Sequence, residues 1–368
     1  MKVLFMANIP SPYRVDFFNE LGKYCELTVT FEGKVATDRN KEWKANRPQN
    51  FNAKFMNGIR TKSDQFLCLD VINVINNNFD YIIMGGYSTP TAMLAIEYMR
   101  LNNIKFWLEA DGGFISKDSV FKYKVKQFFI SSASKWLSSG KATTEYLIHY
   151  GAKKDNIYEY PFTSIKKNEI AATILSGDEK GDIRKELGMR EDKIVLSIGQ
   201  FIPRKGFDIL LRAWKSCPKT AGLYIVGSEP TSEYLDIQNR LKLSNAHFVG
   251  FKTKAELNKY YQAADVFVLP TREDIWGLVI NEAMAQGLPV ITTDRCIAGL
   301  ELIENGFNGF IVPVEDTNKL SEKITKVLNN DILRITMGNN SLKKIKDYTI
   351  EAMAKKHIDV LSESKREC

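Results

Sequence analysis

Residues 265–294 read DVFVLPTREDIWGLVINEAMAQGLPVITTD, and the prediction of the fold starts from this stretch. It begins with an apolar run typical of a strand buried in a parallel sheet, and a charged turn follows. Gly277 opens an apolar helix, Gly287 ends it, and residues 289–293 return as a second strand. This strand–loop–helix–strand order predicts a parallel α/β sheet, which binds ligands beyond the carboxyl ends of its strands.

Two carboxylates in this stretch are candidates for ligand contacts. Glu282 lies in an otherwise apolar helix, where a buried charge needs a compensating partner. If the helix continues back into the turn, Asp274, Leu278 and Glu282 share one face. Sugar or ribose hydroxyls would then satisfy both acids, and the backbone amides of Trp276 and Gly277 would suit a phosphate. Alternatively, Asp274 caps the helix and Glu282 pairs with a lysine elsewhere.

The whole string resembles the signature of family 4 glycosyltransferases, which are retaining enzymes of the two-domain GT-B type. In that signature a glutamate, seven intervening residues and a second glutamate precede Ala-Met-Ala, a glycine and Pro-Val. Here Asp274 occupies the first acidic position and Glu282 the second, followed by AMAQGLPV at 283–290. Asp274 departs from the pattern because its side chain is one methylene shorter. The resemblance implies an α/β fold of two facing Rossmann-like domains, with parallel sheets and a cleft between them.

The length and the changes in composition along the chain predict two domains. A chain of 368 residues is long for a single core. Residues 166–190 are polar and charged, which suits a hinge, and a new apolar strand pattern starts at Lys193. We predict an N-terminal acceptor-side domain over 1–165 and a C-terminal nucleotide-sugar domain over 166–346. The resemblance implies that the final helix, 347–368, returns to the first domain.

Composition excludes several other classes of protein. Hydrophobic residues make up 44% of the chain and charged residues 26%, as in soluble globular proteins. No apolar run is long enough to span a bilayer, and the N-terminus lacks a signal-peptide pattern. The five cysteines show no metal or redox spacing, and the three histidines lie near no recognisable catalytic group. We therefore expect a cytoplasmic protein without a histidine-based metal site or triad.

The net charge of +7 favours anionic partners. No zinc-finger or aromatic RNA-binding signature is present, so nucleic acid is not predicted as a partner. Many lysines cluster in a predicted helix at 117–132, in which Phe121, Val125 and Phe128 recur at helical spacing. The helix either contributes to the core with a solvated lysine face or lies peripherally on an anionic membrane, at the inner face of the cell membrane. Residues 32–44 are polar and are predicted to form a loop.

The loop after the first strand of the second domain is the candidate diphosphate site. Arg204 and Lys205 lie between that strand and a helix, where basic side chains can bind phosphate, although a solvated basic turn is the alternative. The family has Gly-Arg at the strand end and Lys-Gly before the helix. Lys205 and the following glycine match that pattern, whereas Gln200 stands in place of the arginine and Arg204 can supply its charge.

Other candidate contacts follow from their positions at strand ends and from the resemblance. The predicted catalytic residues are Asp274, Glu282, Lys205, Arg204 and Asp111, the last following a strand of the first domain, where an Asp-Gly turn is the alternative. The predicted nucleotide-sugar contacts are Gly199, Gln200, Gly227, Phe251, Lys252, Glu273, Ile275, Trp276, Gly277 and Leu278. On the acceptor side the prediction names Tyr13, Arg14 and Ser88.

The resemblance implies transfer of a hexose-type sugar, with retention, from a nucleoside diphosphate sugar to a hydroxyl of a glycan or lipid-linked glycan in surface polysaccharide synthesis. UDP ranks before GDP as the nucleotide of the donor. No cofactor and no metal are predicted, since basic side chains and a helix N-terminus would stabilise the leaving group. Two alternatives stay open: another GT-B nucleotide-sugar enzyme, an epimerase or a phosphorylase, and a non-catalytic nucleotide-sugar-binding partner subunit.

Overall fold

The computed structural model describes residues 1–35, 47–75 and 78–366, so most of the loop predicted at 32–44 lies outside the described residues. The chain divides into two compact units. Unit 1 consists of Met1–Ser164 and Thr349–Cys368, and unit 2 consists of Ile165–Tyr348. The sequence places the corresponding boundaries after residues 165 and 346.

The first segment of unit 1 alternates strands and helices. Its elements are β1 (Lys2–Ala7), α1 (Pro12–Leu21), β2 (Glu26–Phe31), β3 (Asn52–Phe55), β4 (Ile59–Lys62), β5 (Gln65–Leu67), α2 (Val71–Val74), β6 (Tyr81–Met84), α3 (Pro90–Leu101), β7 (Trp107–Ala110), α4 (Val120–Ser131), β8 (Lys135–Ser138), α5 (Lys141–His149) and β9 (Ile157–Glu159).

Unit 2 follows the same alternation. Its elements are α6 (Gly177–Glu186), β10 (Lys193–Ile198), α7 (Phe207–Trp214), β11 (Ala221–Val226), α8 (Ser232–Arg240), β12 (Ala246–Val249), α9 (Lys254–Ala263), β13 (Val266–Leu269), α10 (Leu278–Ala285), β14 (Val290–Thr293), α11 (Ile297–Leu302), β15 (Gly309–Val312), α12 (Thr317–Leu328) and α13 (Asp331–Ile345). The last helix, α14 (Ile350–Arg366), belongs to unit 1.

The sheet of unit 1 has the strand order β3-β2-β1-β6-β7-β8-β9, and its strands pair in parallel. The central strand β1 is almost completely buried because Val3, Leu4 and Phe5 face helices on both sides of the sheet. The chain leaves β1 towards β2 on one side and later returns to β6 on the other. This change of direction opens a crevice at the carboxyl ends of β1 and its neighbours.

The sheet of unit 2 has the order β12-β11-β10-β13-β14-β15 and is also parallel. Helix α7 places Phe207, Leu210 and Trp214 in the core below β10, and all three are fully buried. Each unit therefore has the predicted Rossmann-like architecture, and the predicted fold class is confirmed.

Residues 166–190, predicted as the hinge and the entry into the second domain, contain α6, which begins with a capping box formed by Ser176 and Glu179. One local prediction is wrong, because the helix after β13 does not extend back to Asp274. Gly277 adopts φ +101°, so the helical register starts at Leu278 and Asp274 does not share a helix face with Glu282.

Candidate functional site

The signature loop between β13 and α10 is bonded to the loop that follows β10. The amide of Arg272 donates to the carbonyl of Arg204 at 2.8 Å, and the hydroxyl of Thr271 donates to the same carbonyl at 2.9 Å. The guanidinium of Arg272 also donates to the carbonyl of Pro203 at 2.6 Å. Since β10 and β13 are neighbours in a parallel sheet, both loops lie at its carboxyl edge.

Arg272 is a positioning residue that the sequence reasoning missed. Its two terminal nitrogens bind the carboxylate of Asp208 at 2.8 and 2.9 Å, which is a bidentate pair. Asp208 lies in the first turn of α7, and its hydrogen bonds to Arg272 lower its pKa although its burial opposes this. Arg272 therefore fixes both the start of α7 and the loop after β10, which contains Arg204 and Lys205, against the signature loop.

Asp274 brings the two predicted phosphate-binding cations together. Its carboxylate accepts a hydrogen bond from Lys205 Nζ at 2.5 Å and lies 3.3 Å from the guanidinium of Arg204. Asp274 is buried, whereas about half of the Arg204 side chain is exposed. A cluster of two cations and one carboxylate carries a net positive charge, and such a cluster at the carboxyl edge of a sheet suits a diphosphate.

Asp274 is held by main-chain contacts rather than by a helix. Its amide donates to the carbonyl of Arg295 at 2.8 Å, and its carbonyl accepts from the amide of Ile297 at 3.2 Å. The neighbouring Glu273 pairs with Arg295 at 2.6 Å, and Ile275 is exposed. These contacts fix the carboxylate of Asp274 at the ends of β13 and β14.

Glu282 has a buried hydroxyl as a partner. Tyr261 donates to the Glu282 carboxylate at 2.8 Å, and burial raises the pKa of Tyr261 well above its ordinary value. This hydroxyl satisfies one of the acceptor positions of the carboxylate, which has about four. Glu282 is only partly buried, in the middle of α10.

The start of α10 depends on glycine. A Cβ at position 277 would lie 2.8 Å from the sulfur of Cys296, and the left-handed backbone adds strain for any larger residue. The indole of Trp276 is buried and donates to the side chain of Asn281 at 2.8 Å, so it stabilises the turn that leads into α10. Leu278 is the first helical residue, so the amides of the first turn of α10 begin here, and amides at a helix N-terminus suit an anion.

The remaining predicted nucleotide contacts lie along the same edge of the sheet. Gly227 follows β11 so closely beside β10 that a Cβ there would lie 1.9 Å from the carbonyl oxygen of Gly199. Gln200 follows Gly199 at the end of β10. Phe251 and Lys252 follow β12, at the outer side of the sheet, where Lys252 lies 3.9 Å from Glu256. The structure thus brings Lys205, Arg204 and Asp274 into contact and distributes the other residues along the strand ends.

In unit 1, Arg14 forms a buried charge network. Its guanidinium donates to Glu109 at 2.5 Å and to Asp111 at 2.6 Å, and the hydroxyl of Tyr160 lies 3.1 Å from both carboxylates. His357 of α14 contacts the other oxygen of Glu109 at 3.2 Å. His357 therefore belongs to the same buried network as the candidate Asp111, which it reaches through Glu109 and not directly.

The network separates the titration of its two acids. Burial opposes the ionisation of Glu109, but the charge of Arg14 and the contact with His357 outweigh it and hold the pKa of Glu109 at about 2. Burial raises the pKa of Asp111 to about 6 against the attraction of Arg14. Because Arg14 is bound by both acids, its guanidinium is not available as a free anion ligand.

Tyr13, Arg14, Ser88 and Asp111 line one pocket of about 190 Å³ in unit 1. The structure thus brings together all the residues that the sequence predicts on the acceptor side, with the predicted Asp111. Glu32 also lines this pocket and was not predicted as a site residue. Its position directly after β2 was the available signal, because ligands contact residues at the carboxyl ends of parallel strands.

Helix α4 contributes to the core of unit 1 and has a solvated face, as the first of the two interpretations predicts. Ile130 is buried, and the partly buried Tyr123 and Phe129 pack against the same core. On the solvated face, Phe121 is 79% exposed and Val120 is 80% exposed. Asp118, before the helix, pairs with Lys122 at 2.9 Å and with Lys126 at 2.8 Å. Exposed apolar and basic side chains therefore share the N-terminal part of α4.

Among residues 1–35, 47–75 and 78–366, no helix combines the length and the apolar composition that a membrane crossing needs. Within the same ranges, no group of three or more His, Cys, Asp or Glu residues could hold a metal ion.

Comparison with known proteins finds similarity of sequence, mostly in unit 2, and similarity of fold over the whole chain. Residues 179–344 match the family of glycosyl transferases group 1. The capsular polysaccharide biosynthesis glycosyltransferase CapM of Staphylococcus aureus is 31% identical over 163 residues, which are 43% of each chain. The Campylobacter jejuni N,N'-diacetylbacillosaminyl-diphospho-undecaprenol alpha-1,3-N-acetylgalactosaminyltransferase is 22% identical over 292 residues, 77% of each chain.

The chain spans about half the length of the curated relatives that it matches at 30–32% identity. Among solved structures, Anabaena HepE in complex with UDP superposes with a TM-score of 0.79 at 19% identity, over 99% of this chain and all of HepE. This similarity shows a common fold, the GT-B fold. The family match, which covers residues 179–344 and so most of unit 2, is to the group 1 glycosyl transferases.

Proposed function

We propose that this protein transfers a hexose-type sugar from a nucleoside diphosphate sugar, UDP before GDP, to a hydroxyl of a glycan or lipid-linked glycan in surface polysaccharide synthesis. One observation carries the proposal: Lys205 and Arg204 converge on Asp274 at the carboxyl edge of the unit 2 sheet. A diphosphate leaving group gains negative charge during transfer, and cations already in place stabilise that charge without reorganisation.

The residues of unit 2 have separate roles in this proposal. Lys205 and Arg204 bind the diphosphate, helped by the amide end of α10 at Gly277. Glu282 accepts hydrogen bonds from the ribose hydroxyls, and Tyr261 holds its carboxylate in position. Asp274 contacts the transferred sugar, and it exchanges part of its hydrogen bonding with Lys205 for hydrogen bonding with the donor.

The acceptor in this proposal binds in the pocket of unit 1, where Asp111 orients the attacking hydroxyl. The resemblance to retaining enzymes supports attack on the same face that the leaving group departs from, with a donor phosphate oxygen taking the proton of the acceptor. Retention of the anomeric configuration follows from that geometry. The structure of HepE with UDP supports the choice of nucleotide. The names of the capsular and undecaprenol-linked relatives support the acceptor class.

The first prediction tests donor binding and turnover together. UDP at a hundred times its dissociation constant should stabilise the protein by about 2.7 kcal/mol, visible as a raised melting temperature. Product analysis with UDP-sugars and a glycan acceptor panel should then find a new glycosidic bond. Binding without any product across the panel would favour a non-catalytic partner subunit, and a product without a new glycosidic bond would favour an epimerase.

A second proposal concerns the exposed surface at the start of α4, which carries Val120, Phe121, Lys122 and Lys124 and is preceded by the exposed Lys117. We propose that this surface binds reversibly to an anionic membrane, since apolar side chains insert and each lysine contributes about 1 kcal/mol. Such binding would keep the enzyme close to a lipid-linked acceptor.

Phe121→Ser should reduce sedimentation with vesicles that contain anionic lipid at low salt, without changing the melting temperature, because the ring is 79% exposed. Ile332→Ser in α13 is the matched control, since Ile332 is 80% exposed on the other unit and should leave sedimentation unchanged. Equal sedimentation of the unmodified protein with neutral and anionic vesicles would refute the proposal.

A further inference from the structure

The pocket of unit 1 is formed by residues that follow strands. Asn8 follows β1, Glu32 follows β2, Gly85 and Gly86 follow β6, and Asp111 follows β7. Its volume of about 190 Å³ is below the ~300–1,000 Å³ typical of pockets that bury drug-sized ligands. The pocket therefore has room for one small ring rather than for an oligosaccharide.

Glu32 is held so that part of its carboxylate remains available. It is 6% exposed, its Oε1 accepts from the hydroxyl of Thr89 at 2.5 Å, and its Oε2 accepts from the amide of Phe66 at 3.4 Å. Thr89 is fixed in turn because its hydroxyl accepts from the amide of Ala92 as the cap of α3. The hydroxyl of Thr91 is a third hydrogen-bond partner of this carboxylate. A carboxylate has about four acceptor positions, so one position remains for a ligand.

The charges around Glu32 disfavour an anionic ligand. Arg14 is the cation among the residues that line the pocket, and Glu109 and Asp111 already bind its guanidinium. Two further described groups near Glu32 are acidic. Asp111 lines the same pocket, and Asp64 raises the pKa of Glu32 by its charge. The side chain of Asn8, which also lines the pocket, donates to Asp64 at 3.1 Å. Within residues 1–35, 47–75 and 78–366, a phosphate or carboxylate in the pocket would therefore meet carboxylates without a free cation.

The rest of the lining suits a sugar. Ser88 offers a hydroxyl that forms no hydrogen bond with the described residues, and Met6, Met56 and Met84 provide apolar surface. Sugar rings present hydroxyls at their edges and C–H groups on their faces, so they match a lining of carboxylates, hydroxyls and methionines. A carboxylate is the strongest acceptor for a sugar hydroxyl among these groups.

We propose that this pocket binds one uncharged sugar ring of the acceptor, and that Glu32 determines specificity by accepting a hydrogen bond from a hydroxyl of that ring. The inference rests on the proposed function and identifies its acceptor subsite. Any phosphate of a lipid-linked acceptor then remains outside the pocket.

The ionisation of Glu32 makes this binding depend on pH. Burial, together with the nearby Asp64, raises the pKa of Glu32 to about 7, although the hydrogen bond from Thr89 lowers it. The ionised form accepts the stronger hydrogen bond, so affinity for the ring should rise between pH 6 and pH 8. Asp111 also faces the pocket, and with a pKa of about 6 it is mostly ionised by pH 7, so the part of the rise between pH 7 and pH 8 reports on Glu32.

The test measures the binding of methyl glycosides directly, by calorimetry or by ligand-observed nuclear magnetic resonance, so it does not need turnover. A panel of methyl hexosides and methyl N-acetylhexosaminides should contain at least one ligand, whereas a methyl hexuronide and a hexose phosphate should not bind. Glu32→Gln should weaken the neutral ligand about tenfold or more at pH 8 and remove the rise in affinity with pH.

Glu145→Gln in α5 is the matched control, because Glu145 is exposed and should leave binding unchanged. Ser88→Phe is a second variant in case Glu32→Gln does not fold, since Ser88 is exposed and a phenyl ring there should fill the pocket and abolish binding. Binding of the hexuronide or the hexose phosphate, absence of any neutral ligand, or equal affinity of Glu32→Gln would each overturn the inference. Failure of transfer alone would contradict the proposed function and leave these binding results unchanged.

Discussion

Lys205→Ala should reduce the kcat/KM of the donor about 100-fold or more, because the leaving diphosphate then lacks the cation closest to Asp274. The remaining cation, Arg204, lies farther from that carboxylate, at 3.3 Å, and about half of its side chain is exposed. Initial rates with a UDP-sugar and a glycan acceptor would measure this loss. The effect should be larger on turnover than on UDP affinity, since the charge on the diphosphate increases as the sugar leaves.

The same substitution should also destabilise the protein, because it leaves Asp274 buried with a weaker partner. Breaking a buried ion pair costs about 3–5 kcal/mol, and the remaining contact with Arg204 should place the loss at the lower end. The double variant Lys205→Ala with Asp274→Asn is the matched control. It should recover most of the stability while UDP affinity stays below that of Asp274→Asn alone, which separates the charge on the diphosphate from the folding of the loop.

Chelation of metal ions tests whether the protein's own cations neutralise the diphosphate. If side-chain cations and backbone amides neutralise the diphosphate, turnover should continue in EDTA at its full rate. A strict requirement for magnesium or manganese, or full activity of Lys205→Ala, would contradict the assignment of the diphosphate to Lys205.

The fold was predictable because the inner strands of both sheets are short, apolar and buried on both faces. The run from Val266 to Leu269 and the helix that ends before Gly287 can be recognised without a structure. The similarity of residues 179–344 to the group 1 glycosyl transferases was predictable because the signature is contiguous in sequence. Helix α6 was missed because its residues are almost entirely polar, although the capping box from Ser176 to Glu179 indicates it.

The contacts that join distant residues could not be predicted. His357 meets Glu109 across 248 positions of the chain, and no local pattern marks either residue. The sequence indicates only that Glu32 is a polar loop residue, whereas the folded sheet places it beside Thr89. The relation of Asp274 to Glu282 was predicted wrongly because a glycine in the left-handed region allows the chain to leave the helical path at position 277.

The surface character of α4 was ambiguous for a different reason. Phe121 and Phe128 have the spacing of a core-facing stripe, yet both are exposed, whereas Ile130 reaches the core. A helical period identifies a face and does not determine what covers it. The site roles of the signature residues also stay predictions, and the two acids allow the sharpest test of them.

Glu282→Gln should weaken UDP and the intact donor alike by about 1.5–3 kcal/mol, because both ligands present the ribose hydroxyls to this carboxylate. Calorimetry with UDP would measure the change. Tyr261→Phe is the matched control for position, since it removes the hydroxyl that donates to Glu282 at 2.8 Å and keeps the charge. It should weaken UDP by a smaller amount, near the ~1 kcal/mol typical of a neutral hydrogen bond.

Asp274→Asn should have the opposite profile. UDP affinity should stay the same or increase slightly, since Lys205 and Arg204 lose a competing carboxylate, whereas turnover should fall sharply because the transferred sugar loses its contact. Asp274→Glu restores the residue that the family has at this position. Its longer side chain should impair the native donor, since Lys205 at 2.5 Å and the main-chain bonds of residue 274 fit the shorter acid. If Asp274→Asn weakens UDP as much as Glu282→Gln does, or retains full turnover, the two acids do not divide the donor between them.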